Sequence, residues 1–182
     1  VSLNLGVEAL GDPTLPDRCQ SLLESFGIEP GLLEIEIPEG ALVEDLEAST
    51  DILNRLHRLG MRLSIDDFGT GYSSLAHLRD FRAAQLKLDG TFIRNVGRDG
   101  ADDPIVRSIV QLAHSLDMSV VAEWVQSAEQ LQRLRLLGCD QAQGNHVCEP
   151  VDATALRDYV RKSAVSERSR HSGGTGAGPV PE

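Results

Sequence analysis

Along the chain, short apolar runs alternate with longer stretches in which apolar residues recur three and four positions apart. The runs are VSLNL (residues 1–5), LLEIEI (32–37), MRLSI (61–65), AAQLKL (83–88), SVVAE (119–123) and CDQAQG (139–144). Each has the length of a strand, and the stretches between them carry a helical period, as in LVEDLEASTDILNRLHRLG. Strand then helix, six times over, predicts a parallel sheet with helical crossovers. Gly27, Gly60 and Gly138 stand just past periodic runs, where helices stop. The segment DDPIVRSIVQLAHSLDM places Asp103 as the expected N-cap and Pro104 at the first helical position.

Parallel strands joined by helices build either an open doubly wound sheet or a closed barrel. No strand end here carries the glycine-rich turn of a nucleotide-binding open sheet. Instead, polar residues stand at or near the C-terminal ends of the strands: Asn4, Glu36, Asp66 with Asp67, Lys87, Glu123 and Gln143. In a (β/α)8 barrel those ends meet at one mouth, where catalysis is placed. Taken alone, Asp66 and Asp67 read as a turn or capping pair, and Lys87 as a surface lysine. Placed in register with the other strand ends they read differently, because crowded carboxylates repel one another unless a cation neutralises them. A set of Asp, Glu and Asn oxygens suits Mg²⁺ or Mn²⁺ rather than zinc. Gly69 and Gly71 after the acid pair serve a turn and a loop that moves.

The 182 residues suffice for one domain with a substantial core. With 28 acids against 17 bases, the net charge of -11 argues against duplex nucleic acid as a partner. Cys19, Cys139 and Cys148 have neither zinc-site nor disulfide spacing and read as reduced thiols. No apolar run reaches the length of a membrane span, so a cytoplasmic location is expected. The domain is expected over residues 1–162, and the Ser, Gly and Pro-rich stretch 163–182 as a disordered tail. The histidines share no spacing, with only His146 near a strand end, and Trp124 is divided between barrel packing and a stacking platform for a base.

The strings DDFGTGYSSL, LKLDGTFI, VVAEWV and QAQG, with VSLNLG and LLEIEIPEGAL upstream, resemble in order and spacing the EAL-domain phosphodiesterases that hydrolyse the bacterial messenger cyclic di-GMP. The resemblance covers residues 1 to about 161. It implies a TIM-like barrel and a two-metal hydrolysis with Mg²⁺ or Mn²⁺, giving linear pGpG. By position, it implies that Asn4, Glu36, Asp66, Asp67 and Glu123 hold the two ions, with Asp66, Gly69 and Gln143 near the substrate. Lys87 resembles the lysine that orients the attacking water, and Glu39 the glutamate that holds the loop DFGTGYSS. Gln143 resembles a glutamine beside substrate and water. It further implies a homodimer through the loop Asp67–Ser74, to which Tyr72 contributes, and an upstream sensory or cyclase domain.

The chain also departs from the family pattern. The name-giving Glu-Ala-Leu strand of the family lies upstream of the segment that begins at Val1, and with it a metal-binding glutamate and two strands. About six βα units of the barrel are therefore expected. On this reading the chain is a fragment or a shortened relative completed by a partner, and is expected to associate and to be inactive alone. Trp124 stands where the family has glycine, Gln126 where it has an acid, Pro38 where it has threonine, and Asn145 where it has an aromatic residue. A catalytically silent receptor for cyclic di-GMP or a protein is the rival reading. A lyase with Lys87 as Schiff base is weaker, since neighbouring acids would keep the amine protonated.

Overall fold

A computed structural model describes residues 1–42, 46–71, 78–79, 81–97 and 101–161. Tyr72 to Ser74 of the expected dimer loop and the expected tail from residue 163 lie outside the described residues. The chain forms two compact units, Val1–Cys148 and Glu149–Glu182. In the second, residues 153–161 are helical. Asp152 opens that helix by accepting the N–H groups of Thr154 and Ala155 on one carboxylate oxygen, at 2.9 and 2.8 Å.

The first unit is built on six parallel strands in sequence order: β1 (Ser2–Asn4), β2 (Glu34–Pro38), β3 (Arg62–Phe68), β4 (Gln85–Leu88), β5 (Ser119–Ala122) and β6 (Gln141–Ala142). All six expected strands form. The sheet is not closed, with β1 and β6 at its edges. The intervening helices are α1 (Leu15–Phe26), α2 (Leu46–Arg58), the single turn α3 (Gly90–Ile93), α4 (Asp103–Ser115) and α5 (Ala128–Leu137). Gly27 and Gly138 end α1 and α5 at φ +62° and +96°, and Gly60 follows α2 at +94°.

One expectation needs correction. The residue before α4 is Asp102, and Asp103 is already helical, which moves Pro104 to the second position. Proline is tolerated anywhere in the first turn, so the sequence did not fix the boundary to one residue. Asp102 makes no side-chain cap and accepts instead from Asn95 Nδ2. Asp103 is buried and takes the Arg133 Nε–H of α5, which ties the two helices together.

Strand periodicity gives the sheet two unlike faces. Ile35, Ile37, Leu63, Ile65, Leu86, Leu88, Val120 and Ala122 alternate onto one side and are all buried in the core with α2, α4 and α5 residues such as Leu56, Val106 and Leu134. The other side carries Glu34, Glu36, Ser64, Asp66, Gln85, Lys87 and Ser119, with the buried Val121 opposite Lys87 as an apolar exception. Register confirms that they share it: Glu36 lies opposite Ser64, Ser64 opposite Gln85, and Gln85 opposite Ser119. An ordinary parallel sheet covered by helices is apolar on both faces. Here the buried polar face is satisfied internally. Arg62 Nε lies 3.6 Å from Glu34 at the N-terminal end, Gln85 Nε2 donates to Ser119 Oγ, and Ser64 Oγ donates to the Ile35 carbonyl.

The short β6 is held by a side chain. Asp140 Oδ2 accepts the Val120 N–H at 2.7 Å while its own N–H donates to the Val120 carbonyl, and the same oxygen meets His114 Nε2 at 2.8 Å. Partial burial raises the Asp140 pKa, but the hydrogen bonds from His114 and Val120 outweigh it and hold the value below the ordinary one. A depressed folded-state pKa stabilises the fold above the unfolded pKa, and that contribution is lost as pH falls through the folded value. Asp140→Asn should therefore lower the melting temperature at pH 7, with the deficit shrinking toward pH 3. A deficit that is constant with pH in thermal melts would assign it to geometry instead.

Candidate active site

The polar face culminates at the C-terminal ends of β2 to β5. Lys87 Nζ lies 3.0 Å from Glu36 Oε2, 2.9 Å from Asp66 Oδ1 and 2.8 Å from Glu123 Oε1, with its side chain only 6% exposed. Three strand ends thus converge on one ammonium. Burial alone would pull the lysine pKa down, but the hydrogen bonds to Glu123, Asp66 and Glu36 push it well above the usual lysine range. Three carboxylates around the ammonium favour its charged form, which disfavours a Schiff-base role because that needs a free amine.

Adjacent residues of a strand normally point to opposite faces, so the Asp66–Asp67 pair needs a local device. The β3–β4 register shifts between Ile65 and Phe68, and Asp67 adopts φ +53°. This irregularity re-aims the second acid, and oxygens of Asp66, Asp67 and Glu123 come within 4.8 Å of one another. Four carboxylates, counting Glu36, then face one ammonium. The excess negative charge registers on the groups themselves. The Glu123 pKa is raised, chiefly by burial and then by Asp66 and Glu36 against the opposing pull of Lys87. That of Asp67 is raised by burial and by the charges of Asp66 and Asp89.

Asp66 Oδ1 is buried and meets the Lys87 ammonium at 2.9 Å, the same ammonium that Glu36 and Glu123 share. An all-oxygen donor set with more carboxylates than one ammonium can neutralise fits a hard divalent cation. Asn4 ends β1 opposite Glu36 in register, at one sheet edge, and is exposed. Gln143 follows β6 at the other edge and is also exposed. Its N–H donates to the Ala122 carbonyl and its carbonyl accepts from Val125. The structure therefore brings Glu36, Asp66, Asp67, Lys87 and Glu123 into one cluster, with Asn4 and Gln143 on the flanking strands.

Glu39 acts on the backbone. Its buried Oε2 accepts the N–H groups of Gly69 at 2.7 Å and Gly71 at 3.0 Å, which fixes the loop leaving β3. Gly69 sits at φ +98°, and a Cβ there would lie 2.1 Å from the Phe92 ring, so both conformation and space require glycine.

Beside the cluster lies a cleft of about 700 Å³ that reaches from Asp67 past Asp89 and Arg94 to Trp124 and Gln126. Sequence reading passed over Asp89 and Arg94, although LDG at a strand end signals a helix cap, and Asp89 Oδ1 does accept the Thr91 N–H at 2.8 Å. The string Glu8-Ala9-Leu10 spells the family's name-giving motif, yet it forms a 3-10 turn after β1 and leaves Glu8 exposed.

Comparison with known proteins places this arrangement. The EAL domain family model matches residues 1–150, and the chain belongs to the EAL-domain family. It is 38% identical over 161 residues to the cyclic di-GMP phosphodiesterase NbdA of Pseudomonas aeruginosa, covering 88% of this chain and 21% of NbdA. The EAL domain of Mycobacterium smegmatis DcpA superposes with a TM-score of 0.84 at 31% identity, covering 88% of this chain and 72% of that one. A manganese and cyclic di-GMP complex of Klebsiella pneumoniae BlrP1 gives a TM-score of 0.73 at 31% identity, over 79% of this chain and 37% of BlrP1. The chain spans about a fifth of the length of NbdA and of other curated relatives that it matches. Among the described residues, no helix is long and apolar enough to cross a membrane.

Glu39→Ala removes an acceptor shared by two backbone donors, each such charged hydrogen bond being worth about 1.5–3 kcal/mol. The variant should lose on the order of 3–6 kcal/mol in urea unfolding, with faster hydrogen exchange at the Gly69 and Gly71 amides than elsewhere. Unchanged exchange at those two amides would show that the loop holds itself.

Proposed function

We propose that the chain carries the machinery of a metal-dependent phosphodiesterase that opens cyclic di-GMP to linear pGpG. The observation that carries this reading is the gathering of Glu36, Asp66, Asp67 and Glu123 around one buried ammonium, with negative charge left over. The names of the relatives and the manganese and cyclic di-GMP complex of BlrP1 support it.

On this reading Glu36, Asp66, Asp67 and Glu123, with the Asn4 amide oxygen, hold two Mg²⁺ or Mn²⁺ ions. When bound, such ions neutralise the phosphodiester, lower the pKa of a water and stabilise entering and leaving oxygens. Lys87 keeps the carboxylates together and places a fixed positive charge where negative charge develops in the transition state. Glu39 maintains the loop at Gly69 and Gly71 over the site, and Gln143 offers an amide to substrate or water. The greater length of the relatives supports a sensory or cyclase module in the same polypeptide. The segment from Asp67 is the proposed dimer surface.

In the full-length polypeptide, Asp66→Asn should abolish Mn²⁺-dependent hydrolysis of cyclic di-GMP, and with it the rise in melting temperature that Mn²⁺ gives the unsubstituted protein. A variant that keeps both would remove Asp66 from the ion site. A full-length polypeptide that binds the dinucleotide without cleaving it would make the protein a receptor.

Lys87→Ala should lower kcat by at least about a hundredfold with a much smaller change in KM, since the ammonium acts on charge formed in the transition state. A raised KM at constant kcat would make Lys87 a substrate-binding residue instead.

A further inference from the structure

Trp124 stands where resemblance to the family leads one to expect glycine, and its setting in the structure is unusual in three respects. Its backbone lies at φ +56°, a region costly for a bulky residue. The conformation is held from both sides. The Glu123 N–H donates to the Leu88 carbonyl, the Val125 N–H donates to Gln143, and the Val125 carbonyl accepts from His146. The side chain, despite its size, is 62% exposed. It is not packed into the barrel.

The root of the exposed indole nonetheless has a neighbour. A Cβ on Gly90 would come within 2.8 Å of Trp124 Cγ and Cδ1, so the ring root lies against the bare backbone of α3. From there the ring forms one wall of the cleft of about 700 Å³ whose other end is Asp67 of the carboxylate cluster. That volume is in the range of small-ligand sites. The same wall carries Arg94, Asp89, Thr91 and Gln126. A rigid aromatic face with polar groups at its margin is the chemistry that takes a planar, hydrogen-bonding ring.

We infer that Trp124 is a stacking platform for one guanine base of the substrate, with Arg94 reading the edge of the base. The inference rests on the phosphodiesterase reading for the identity of its ligand. Arg94 presents donors only, which match the O6 and N7 acceptors of guanine and conflict with the 6-amino group of adenine. The Gly90–Trp124 contact makes the platform a two-residue device, because any side chain at position 90 pushes the indole off its seat.

The chain contains one tryptophan, so its intrinsic fluorescence reports on this position alone. Titration of the parent chain with cyclic di-GMP in Ca²⁺ should quench that fluorescence saturably, and cyclic di-AMP should do so at least about tenfold more weakly. In Mn²⁺, Trp124→Ala should raise KM for cyclic di-GMP about tenfold, the scale of one lost base-stacking contact, and by more than it lowers kcat. Trp124→Phe should recover most of that loss, and Gly90→Ala should raise KM while leaving tryptophan in the chain. Guanine-selective quenching without hydrolysis by the full-length polypeptide would uphold the platform and sink the phosphodiesterase reading. Hydrolysis with unchanged fluorescence, or a KM indifferent to Trp124→Ala, would overturn the platform and leave the phosphodiesterase reading standing.

Discussion

Everything in the first unit depends on how an acid-rich surface is held inside a folded sheet. A buried carboxylate is tolerated only with a compensating charge or donor, and Lys87 supplies that charge to Glu36, Asp66 and Glu123 together. The arrangement couples strands far apart in sequence through a single atom. It also leaves four carboxylates to one ammonium, and burial first, then the neighbouring acids, raises the pKa values of Glu123 and Asp67. Such a deficit of positive charge, held by strands, is what a hard divalent cation at this point would offset.

The rest of the molecule positions that deficit. Alternation along the strands sends most apolar residues to the helices and most polar ones to the other face, so the cluster is the last layer of a largely polar face, broken by Val121, that begins at Glu34 and Arg62. The register shift in β3 then allows two neighbouring acids to share one site. Glu39, buried one residue beyond β2, reaches across to the loop leaving β3, so the same two strands supply both carboxylates and loop anchor.

Much of this was legible in the sequence because it rests on period and punctuation. The six strands announce themselves as apolar runs, and Gly27, Gly60 and Gly138 are required by left-handed backbone that a sequence marks directly. The polar strand ends were also readable, since a barrel gathers strand ends whatever their identity. What escaped was decided by tertiary geometry. The start of α4 moved by a residue because proline fits either early position. Nothing in the order Asp66-Asp67 discloses a register shift, and nothing near Trp124 marks it for positive φ, because those conformations are imposed by partners distant in the chain, Leu88 and Gln143 among them. Asp140 lies in the run CDQAQG, but nothing in that run shows that its side chain, rather than its carbonyl, accepts the Val120 N–H.

The two unlike faces of the sheet also bear on how stability varies with temperature. Hydration of apolar surface raises the heat capacity of unfolding and hydration of polar surface lowers it. In this unit only the helix-covered side contributes the first term in bulk, while Ser64, Gln85, Lys87 and Glu36 on the other side contribute the second. The free energy of unfolding should accordingly follow a flatter curve than that of a sheet buried between two apolar layers, changing less between cold and warm conditions for the same maximum.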